Sequence, residues 1–278
     1  MKPEEQVFVT QRKVLKFDKL GFAETSDVIV VELPLDIRFQ CYFRKRWITK
    51  NLAVTMRTPG NDRELAIGFL FSEGIVGKVQ EIEEVRCIND DQIIVKLAEG
   101  LQVDADLLER HSFVSSSCGI CGKTSVDKIE KVSCYFPQSG LPKISSAVLK
   151  KLPGQLRNLQ KVFEQTGGIH AAGLFTPEAD LLLLREDVGR HNAVDKLIGA
   201  ALLQGLIPLR NHILMLSSRI SFELVQKAMM AGIPVIAAVG APSSMAIDLA
   251  KEAGITLIGF LRGNRFNIYS ESNRFLIG

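Results

Sequence analysis

Cysteine is scarce in this sequence, and long apolar runs are absent. Its 278 residues contain five cysteines, an odd number and too few for the disulfide framework of a small secreted protein. No apolar run approaches the ~18 residues of a membrane span, and the N-terminal MKPEEQVFVTQRK lacks the apolar segment of a signal peptide. We therefore expect a cytoplasmic protein that has no membrane partner.

An excess of one charge sign is also missing. The 34 Lys and Arg residues are nearly balanced by 31 Asp and Glu residues, which gives a net charge of +3. So small a charge does not indicate a nucleic-acid partner, although basic residues beside a pocket would favour an anionic small molecule. With 46% hydrophobic and 23% charged residues, the composition is typical of a soluble globular protein with one large or two modest domains.

Sequence patterning divides the chain into three parts. Residues 1–111 contain several β-rich runs, a hairpin about Asn89–Asp91 and one helix, RELAIGFLFSEGI, which Asp62 would cap; we expect a smaller α+β domain. Residues 112–143 combine a Ser/Gly-rich loop with a connecting helix. Residues 144–278 begin with a helix that has Pro153 near its start, followed by two adjacent strands.

The clearest pattern lies in the C-terminal third. Three short apolar runs, HILML, PVIAAVG and ITLIGF, alternate with the helical segments SFELVQKAMMAG and SSMAIDLAKEAG. Continuous apolar strands that alternate with helices are typical of a parallel sheet covered on both faces, with right-handed crossovers. The fold class predicted for this part of the chain is therefore α/β.

Polar residues follow each of these three strands. Ligands of open parallel sheets bind at the carboxyl ends of the strands. The residues expected there are Ser217-Ser218-Arg219, Ala241-Pro242-Ser243-Ser244 and Arg262-Gly263-Asn264-Arg265. The two serine pairs would open helices whose free N–H groups favour an anion, and the arginines would bind phosphate. The pattern predicts a phosphate- or nucleotide-binding rim; the alternative is plain helix caps and a solvated turn.

Two further segments contain candidate residues. EDVGRHNAVDK would start a helix with Asp187 as its N-cap, which places Arg190 and His191 in the first turn, where a cation opposes the helix dipole. Positive groups there could serve an incoming anion, or Arg190 could simply pair with Glu186 or Asp187. His170, in GGIHAAG, is either a hydrogen-bonded core residue or a ligand or proton carrier.

The motif SSSCGICGK places two thiols, Cys118 and Cys121, in a loop of serines and glycines. A structural zinc site needs four ligands, whereas Cys41, Cys87 and Cys134 are single and scattered. A zinc deaminase needs H-x-E upstream and P-C-x-x-C downstream, but a serine precedes the first thiol and no such histidine comes before it. We therefore expect no metal site.

The same loop offers the conditions for an activated thiolate. Lys123 and the positive end of a helix that starts at Thr124 would lower the pKa of a nearby thiol. Gly119 and Gly122 let the backbone bend, so that a sulfur can be presented to another molecule. Such a thiolate suits accepting and passing on a sulfur atom, with the second cysteine able to resolve or shuttle it.

The longest motifs of the chain resemble one known family. SSCGICG, GIHAAGLF, EDVGRHNAVDKLIG, SSRISFELVQKAMMAGIPVIAAVGAPSSMAI and GITLIGFLRGNRFNIY are similar, in sequence and in order, to the formate dehydrogenase accessory sulfurtransferase family (FdhD/NarQ type). TPGNDRELAIGFLFSEGI is similar too. The resemblance therefore covers nearly the whole chain.

The resemblance implies a sulfur carrier, a sulfurtransferase with a cysteine persulfide intermediate. A cysteine desulfurase would load sulfur onto Cys118, with Cys121 as helper. The carrier would pass it to the molybdenum or tungsten bis-guanine-dinucleotide cofactor before that acceptor enters the catalytic subunit of formate dehydrogenase. The family also implies a homodimer and a cytidine-deaminase-like, three-layer C-terminal domain without the deaminase zinc site.

The cofactor-binding stretch of the family matches Phe260, Leu261, Arg262, Gly263, Asn264 and Arg265. A guanine nucleotide such as GDP would occupy the same site. The other residues expected to contact the bound nucleotide are Ser217, Ser218, Arg219, Ser243, Arg190, His191 and His170.

Two other functions fit parts of this pattern. A non-catalytic chaperone that shields the cofactor during insertion needs the rim but not the thiols. A redox-sensing or zinc-binding regulator predicts stoichiometric metal or a reversible disulfide between Cys118 and Cys121.

Overall fold

The computed structural model of the chain describes residues 8–19, 21–103 and 135–276. Its first part contains β1 (Val9–Asp18), β2 (Gly21–Val30), β3 (Leu33–Phe43), β4 (Arg46–Arg57), α1 (Asp62–Ser72), a 3₁₀ turn (Val79–Glu81), β5 (Ile82–Asn89) and β6 (Gln92–Leu97). β1 and β2 form a two-stranded hairpin, and the other strands form a sheet of order β4-β3-β6-β5.

Alternating apolar residues explain the four-stranded sheet. Along β3, every second side chain is buried, in the series Leu35, Ile37, Phe39 and Cys41. These side chains face the same core as α1. β5 and β6 form an antiparallel hairpin whose turn is Asp90-Asp91. The hairpin expected in this part of the sequence is confirmed.

The predicted helix α1 is confirmed, but the cap assigned to Asp62 is wrong. Asp62 is the first residue of the helix, and Asn61, in the left-handed region with φ 57°, is its N-cap. The Asp62 carboxylate instead accepts hydrogen bonds from Nε and Nη2 of buried Arg57, at 3.0 and 2.9 Å. Because the arginine fork binds both carboxylate oxygens, the side chain faces the guanidinium and not the helix N–H groups.

The second part, residues 135–276, forms a six-stranded sheet with helices on both faces. Its elements are α2 (Ser146–Leu159), α3 (Lys161–Thr166), β7 (His170–Phe175), β8 (Leu181–Asp187), α4 (Arg190–Leu203), β9 (Ile213–Leu216), α5 (Phe222–Met230), β10 (Val235–Ala238), α6 (Ser244–Glu252), β11 (Thr256–Arg262) and β12 (Arg265–Ser270). The strand order is β12-β11-β10-β9-β7-β8.

The sheet is mixed rather than fully parallel. β9, β10 and β11 are mutually parallel, as the alternating pattern predicts. β7 is antiparallel to β8 and β9, and β12 is antiparallel to β11, so the parallel pairing predicted for the three apolar runs does not extend to the two edges of the sheet. The reason is the length of the connections. A short turn joins β7 to β8 and a two-residue turn joins β11 to β12, and neither is long enough for a crossover.

Side chains alternate between the two faces of the sheet. One face, which includes Leu214, Ile236 and Leu257, belongs to the core formed with α4, α5 and α6. The other face, which includes Met215 and Ile258, packs against α2. The result is an α/β arrangement with helices, sheet and helix in successive layers.

Helix α2 begins earlier than expected. Ser145 is its N-cap and accepts a hydrogen bond from Val148 N–H at 3.3 Å, so Pro153 lies inside the helix and not near its start. A serine cap upstream of the proline is therefore the true start signal, and the prediction that relied on Pro153 is wrong. Gly167, with φ 64°, is the C-cap of α3.

One continuous core joins the two parts of the chain. Helices α1 and α4 cross at two glycines: a Cβ on Gly68 would lie 1.8 Å from the Asp195 carbonyl oxygen, and a Cβ on Gly199 would lie 1.9 Å from the Glu64 carbonyl oxygen. Backbones approach this closely only where no side chain intervenes. The boundaries 1–111, 112–143 and 144–278 stay a prediction. Within the described ranges, no helix has both the length and the apolar character needed to cross a membrane.

Candidate functional site

The carboxyl ends of β9, β10 and β11 meet at one side of the six-stranded sheet, which we call the sheet edge. Gly240 N–H, just after β10, donates to the carbonyl of Ser218, just after β9, at 3.1 Å. Phe260 N–H, on β11, donates to the Gly240 carbonyl at 3.0 Å. The topology argument from the sequence is thus confirmed for these three strand ends.

β7 and β8 add residues to the same edge. His170, the first residue of β7, pairs with Asp187, the last residue of β8. Because β7 is antiparallel to β9, its first residues lie beside the end of β9, where Ala171 N–H donates to Ser217 Oγ at 2.8 Å. Helix α4 begins shortly after β8, so Arg190 lies at the edge as well. The predicted binding residues that the structure brings to the sheet edge are His170, Arg190, His191, Ser217, Ser218, Arg219, Ser243, Phe260, Leu261, Arg262, Gly263, Asn264 and Arg265.

The serines differ from their predicted positions. Ser217 and Ser218 do not open a helix: α5 begins at Phe222 with Ser221 as its N-cap. The intervening residues extend the sheet instead, since Ile220 N–H donates to a backbone carbonyl after β10. Ser243 does cap α6, and its Oγ accepts a hydrogen bond from Ala246 N–H at 3.3 Å. For Ser243 the plain helix cap is therefore the observed arrangement.

The two acids before α4 bind groups other than Arg190. Gly189, not Asp187, is the N-cap of α4, because Asp187 Oδ1 accepts from Gly189 N–H at 2.8 Å and Oδ2 lies 2.7 Å from Lys196 Nζ. Glu186 accepts from two N–H groups at the start of α3, at 3.3 and 3.2 Å. Arg190 makes no ion pair with either acid, and its buried Nε has no hydrogen-bond partner among the described residues.

Two histidines at the sheet edge are held neutral. Burial and the positive charge of Arg190 lower the pKa of His170. Burial, followed by the charges of Arg190 and Lys227, lowers the pKa of His191 to about 4. His191 is therefore uncharged at neutral pH, and the expectation of two cations in the first turn of α4 holds for Arg190 alone. The Nε2 atom of His191 lies 3.0 Å from Ser221 Oγ.

The predicted cofactor-binding stretch is the tip of a β-hairpin. Phe260, with φ 52°, is 41% exposed, whereas Leu261 is fully buried. Arg262 and Arg265 are direct partners across the two strands, and Gly263 and Asn264 form the turn. Directly paired residues project to the same side of a hairpin. Two exposed guanidinium groups therefore stand on one side of the hairpin tip.

A largely apolar cleft of about 730 Å³, here named the edge cleft, opens beside this hairpin. Leu156 and Phe163 of α2 and α3 line one wall, and Leu261 lines the other. His170 and Ser217 stand between them. The Arg157 guanidinium lies 3.8 Å from the centre of the Phe163 ring, within the range of a cation–π contact. The edge cleft thus combines apolar walls with cations at its mouth.

Sequence reasoning missed the buried polar network behind the sheet edge. Lys196 Nζ donates to the Thr58 carbonyl at 2.8 Å, and Thr58 N–H donates to Asp187 at 3.2 Å. Asn192 Nδ2 donates to the same carboxylate at 3.1 Å and to the Met56 carbonyl at 2.8 Å. The available signal was the charge of Lys196 within the mostly apolar helix NAVDKLIGAALL, in which Asn192 and Asp195 are the other polar residues, since a buried charge needs a partner.

The thiol loop itself lies outside the described residues. Cys118, Cys121 and Cys134 belong to residues 104–134. Of the other cysteines, Cys41 is buried in β3, where burial raises the pKa of its thiol, and Cys87 is exposed on β5. The expectation that Cys118 carries sulfur stays a prediction.

The chain matches one family of known proteins. A family model described as the FdhD/NarQ family matches residues 31–276. The chain is 46% identical to the sulfur carrier protein FdhD of Streptomyces avermitilis, covering 96% of this chain and 95% of that protein. It is 43% identical to the sulfur carrier protein FdhD of Sulfurisphaera tokodaii, covering 96% and 99%.

The fold has a counterpart among solved structures. The crystal structure of a candidate formate dehydrogenase accessory protein from Desulfotalea psychrophila superposes with a TM-score of 0.74 at 26% identity, covering 97% of this chain and all of that one. The resemblance stated from the sequence motifs is confirmed by these matches over nearly the full length. The chain therefore belongs to the FdhD/NarQ family.

Proposed function

We propose that the protein is a sulfur carrier that accepts a sulfur atom on Cys118 as a persulfide. It delivers this sulfur to the molybdenum or tungsten bis-guanine-dinucleotide cofactor, held at the sheet edge as substrate. The name of the relatives, sulfur carrier protein, supports the carrier function. The observation that carries the acceptor half of the proposal is a group of arginines at the sheet edge. Arg262 lines the edge cleft, and Arg265 is its partner across the hairpin. The charges of Arg190 and Arg219 act on His170, which lines the same cleft.

The arginines are suited to the phosphates of a dinucleotide. Arg262 and Arg265 are like charges directly opposite each other, an arrangement that destabilises a hairpin in the absence of an anion. Arg190 has a buried Nε without a partner among the described residues, and such a donor gains a hydrogen bond when an oxyanion arrives. Guanidinium groups match the oxygens of phosphate in bidentate fashion.

The edge cleft is suited to the flat rings of the same ligand. Its volume of about 730 Å³ lies within the range of small-molecule sites, ~300–1,000 Å³. Apolar side chains such as Leu156, Phe163 and Leu261 favour burial of a pterin or guanine ring. The neutral imidazole of His170 can exchange hydrogen bonds with ring nitrogens without adding charge.

The thiol chemistry balances without an outside oxidant. The Cys118 thiolate attacks the outer sulfur of a persulfide on a cysteine desulfurase; one S–S bond forms as another breaks, and the desulfurase cysteine leaves as thiolate. The Cys121 thiolate then attacks Sγ of Cys118, and the outer sulfur leaves as hydrosulfide for the acceptor. The two electrons come from the thiols, which become a disulfide. The alternative is a relay, in which the Cys121 thiolate attacks the outer sulfur of the Cys118 persulfide. The persulfide then moves to Cys121, Cys118 leaves as thiolate, and no net oxidation takes place.

The remaining parts of the proposal concern the setting of this reaction. The partners are a cysteine desulfurase and the catalytic subunit of formate dehydrogenase, and the protein works in the cytoplasm as a homodimer. A guanine nucleotide such as GDP occupies the same site as the cofactor. The helix, sheet and helix layers of the second part fit a cytidine-deaminase-like domain, a finer classification that we retain as part of the proposal.

Persulfide loading tests the carrier function directly. The protein is incubated with a cysteine desulfurase and cysteine, and its intact mass is measured without reductant. We expect an adduct of one sulfur atom in the wild type and in Cys87→Ala, the control at the exposed cysteine of β5, and no adduct in Cys118→Ala. An adduct that persists in Cys118→Ala, or its absence from the wild type, would overturn the proposal. If Cys118→Ala still supports full formate dehydrogenase maturation in cells, the chaperone function is correct instead.

A further inference from the structure

The hairpin of β3 and β4 ends in a turn made of two residues with an unfavourable backbone conformation. Arg44 and Lys45 form this turn, between the paired residues Phe43 and Arg46. Both turn residues have positive φ angles, 49° and 63°. A two-residue turn with two positive φ angles is usually Asn-Gly, because these residues enter the left-handed region at little cost. Two long cationic side chains in this turn are therefore a costly choice.

Strain of this kind indicates that the side chains have a use. Residues held in sparsely populated backbone regions lower stability, and they cluster where the protein binds or acts on another molecule. Together with Arg46, the turn places three cations next to one another at the end of the hairpin, and all three are exposed. We name Arg44, Lys45 and Arg46 the basic tip.

The charge of the basic tip is not neutralised by the part of the chain that the structure describes. None of its three side chains forms an ion pair there. Acids on the neighbouring strands bind other cations: Glu83 pairs with Lys96, and Glu84 pairs with Arg86. Glu99, two residues after β6, is not paired with the tip either. The basic tip is therefore suited to a ligand that supplies negative charge.

Aromatic side chains lie beside the basic tip. Tyr42 and Trp47 are direct partners across β3 and β4, and their rings pack edge to face with centres 5.5 Å apart. Both are half-buried, on the opposite face of the sheet to buried Cys41. Tyrosine, tryptophan and arginine are enriched in protein–protein interfaces and among the side chains that contribute most to binding. The surface therefore has the composition of a protein-binding site.

A protein segment fits this surface better than a nucleic acid does. Single-stranded nucleic acids stack their bases on free aromatic faces and follow a groove of cations. Here the Lys96 ammonium covers the Trp47 ring, 4.6 Å from its centre, and the unpaired cations are confined to one turn. Guanidinium groups bind carboxylates with two hydrogen bonds, so a short acidic segment can satisfy the two arginines of the tip.

We propose that the basic tip, with Tyr42 and Trp47 beside it, is a docking surface for an acidic segment of another protein. Carboxylates of that segment bind the three cations, and its apolar side chains lie against the two aromatic rings. The surface belongs to the four-stranded sheet, whereas the edge cleft lies at the six-stranded sheet. Docking at the basic tip goes beyond the proposed sulfur transfer and does not depend on it.

The strained turn allows a test in which binding is lost while stability is gained. Arg44→Asn/Lys45→Gly introduces the preferred turn sequence and removes two charges. We expect its melting temperature to rise by about 2–4 °C, because the left-handed conformation no longer opposes folding. A damaged fold cannot produce this rise. The control is Lys150→Ala/Lys151→Ala, which removes two exposed charges from α2.

The probe is a fluorescein-labelled hexaglutamate peptide, whose binding to the full chain is followed by fluorescence anisotropy at low ionic strength. We expect the wild type and the α2 control to bind it saturably, and added salt to weaken this binding. Arg44→Asn/Lys45→Gly should bind the peptide at least about tenfold more weakly, the effect of losing charge-assisted hydrogen bonds. Arg262→Ala, at the sheet edge, should bind the peptide as the wild type does.

Several results would overturn the proposal. The wild type could fail to bind the peptide, Arg44→Asn/Lys45→Gly could bind it as tightly as the wild type, or Arg262→Ala could be the variant that loses binding. A fall in the melting temperature of the turn variant would show that the turn is not strained. Tighter binding of a short single-stranded oligonucleotide, lost in the turn variant, would assign the tip to nucleic acid. A later elution of that variant in size-exclusion chromatography would assign the tip to a second copy of this chain.

Discussion

Lys196 and Asp187 form a buried ion pair directly behind the sheet edge. Nζ and Oδ2 are 2.7 Å apart, and the two side chains are 1% and 0% exposed. The pair also holds Thr58, whose carbonyl accepts from Lys196 and whose N–H donates to Asp187. It therefore fixes the turn before α4, and with it Arg190, to the loop before α1.

Removal of the lysine charge should destabilise the protein strongly. Lys196→Met leaves the Asp187 carboxylate buried without its cation, which costs roughly 3–5 kcal/mol in free energy of unfolding. Denaturant unfolding measures this value. The control is Lys251→Met at the exposed end of α6, for which we expect a change within about 0.5 kcal/mol. Equal effects of the two substitutions would contradict a structural role for the buried pair.

Gly199→Ala and Gly154→Ala, both at helical positions, should change the free energy of unfolding in opposite directions. Gly199→Ala directs a methyl group at the Glu64 carbonyl, 1.9 Å away, and should lower the free energy of unfolding by at least about 2 kcal/mol. Gly154→Ala, in α2, meets nothing within 4 Å and should raise it by roughly 0.5–1 kcal/mol, the usual helix preference for alanine. Both values come from the same denaturation experiment. A neutral Gly199→Ala would mean that α1 and α4 do not cross as closely as described.

The buried His191 should make stability depend on pH. Its pKa is about 4 when folded and 6.5 as the ordinary value, so between these pH values the unfolded chain binds a proton that the folded chain does not. Stability is therefore lost as the pH falls from 6.5 towards 4, by up to about 3 kcal/mol at the lower end. In His191→Gln most of this difference between pH 7 and pH 4.5 should disappear. An unchanged pH profile in the variant would show that other groups cause it.

Nucleotide binding should depend on the arginines of the hairpin tip. Arg262→Ala removes one guanidinium from the mouth of the edge cleft and should weaken binding of GDP about tenfold, measured by calorimetry. Phosphate contacts are screened by salt, so the affinity of the wild type should also fall as ionic strength rises. Lys251→Ala, an exposed cation at the end of α6 away from the sheet edge, should bind GDP as the wild type does.

Local patterns in the sequence predicted a large share of the fold and of the sheet edge. The strands β9, β10 and β11 follow from short apolar runs between helices, and their polar ends follow from the topology. The positions of Arg219 and Arg262 at one edge are a direct consequence. These features depend on residues that are close in sequence, so periodicity reveals them.

Long-range contacts account for what the sequence did not predict. The placement of His170 depends on β7 lying between β8 and β9, which no local pattern contains. The Lys196–Thr58 hydrogen bond joins residues 138 positions apart. The helix starts predicted from Pro153 and Asp187 were wrong, although each residue type is common at the start of a helix. In the structure, Ser145 and Gly189 are the N-caps of these two helices.

The crossing of α1 and α4 has a consequence for how the protein melts. With Gly68 and Gly199 in backbone contact, neither part of the chain can move away from the other without opening the shared core. We therefore expect a single cooperative calorimetric transition. A ligand bound in the edge cleft should therefore shift that one transition as a whole. A thermal melt can thus report ligand binding in the second part of the chain through the stability of both parts.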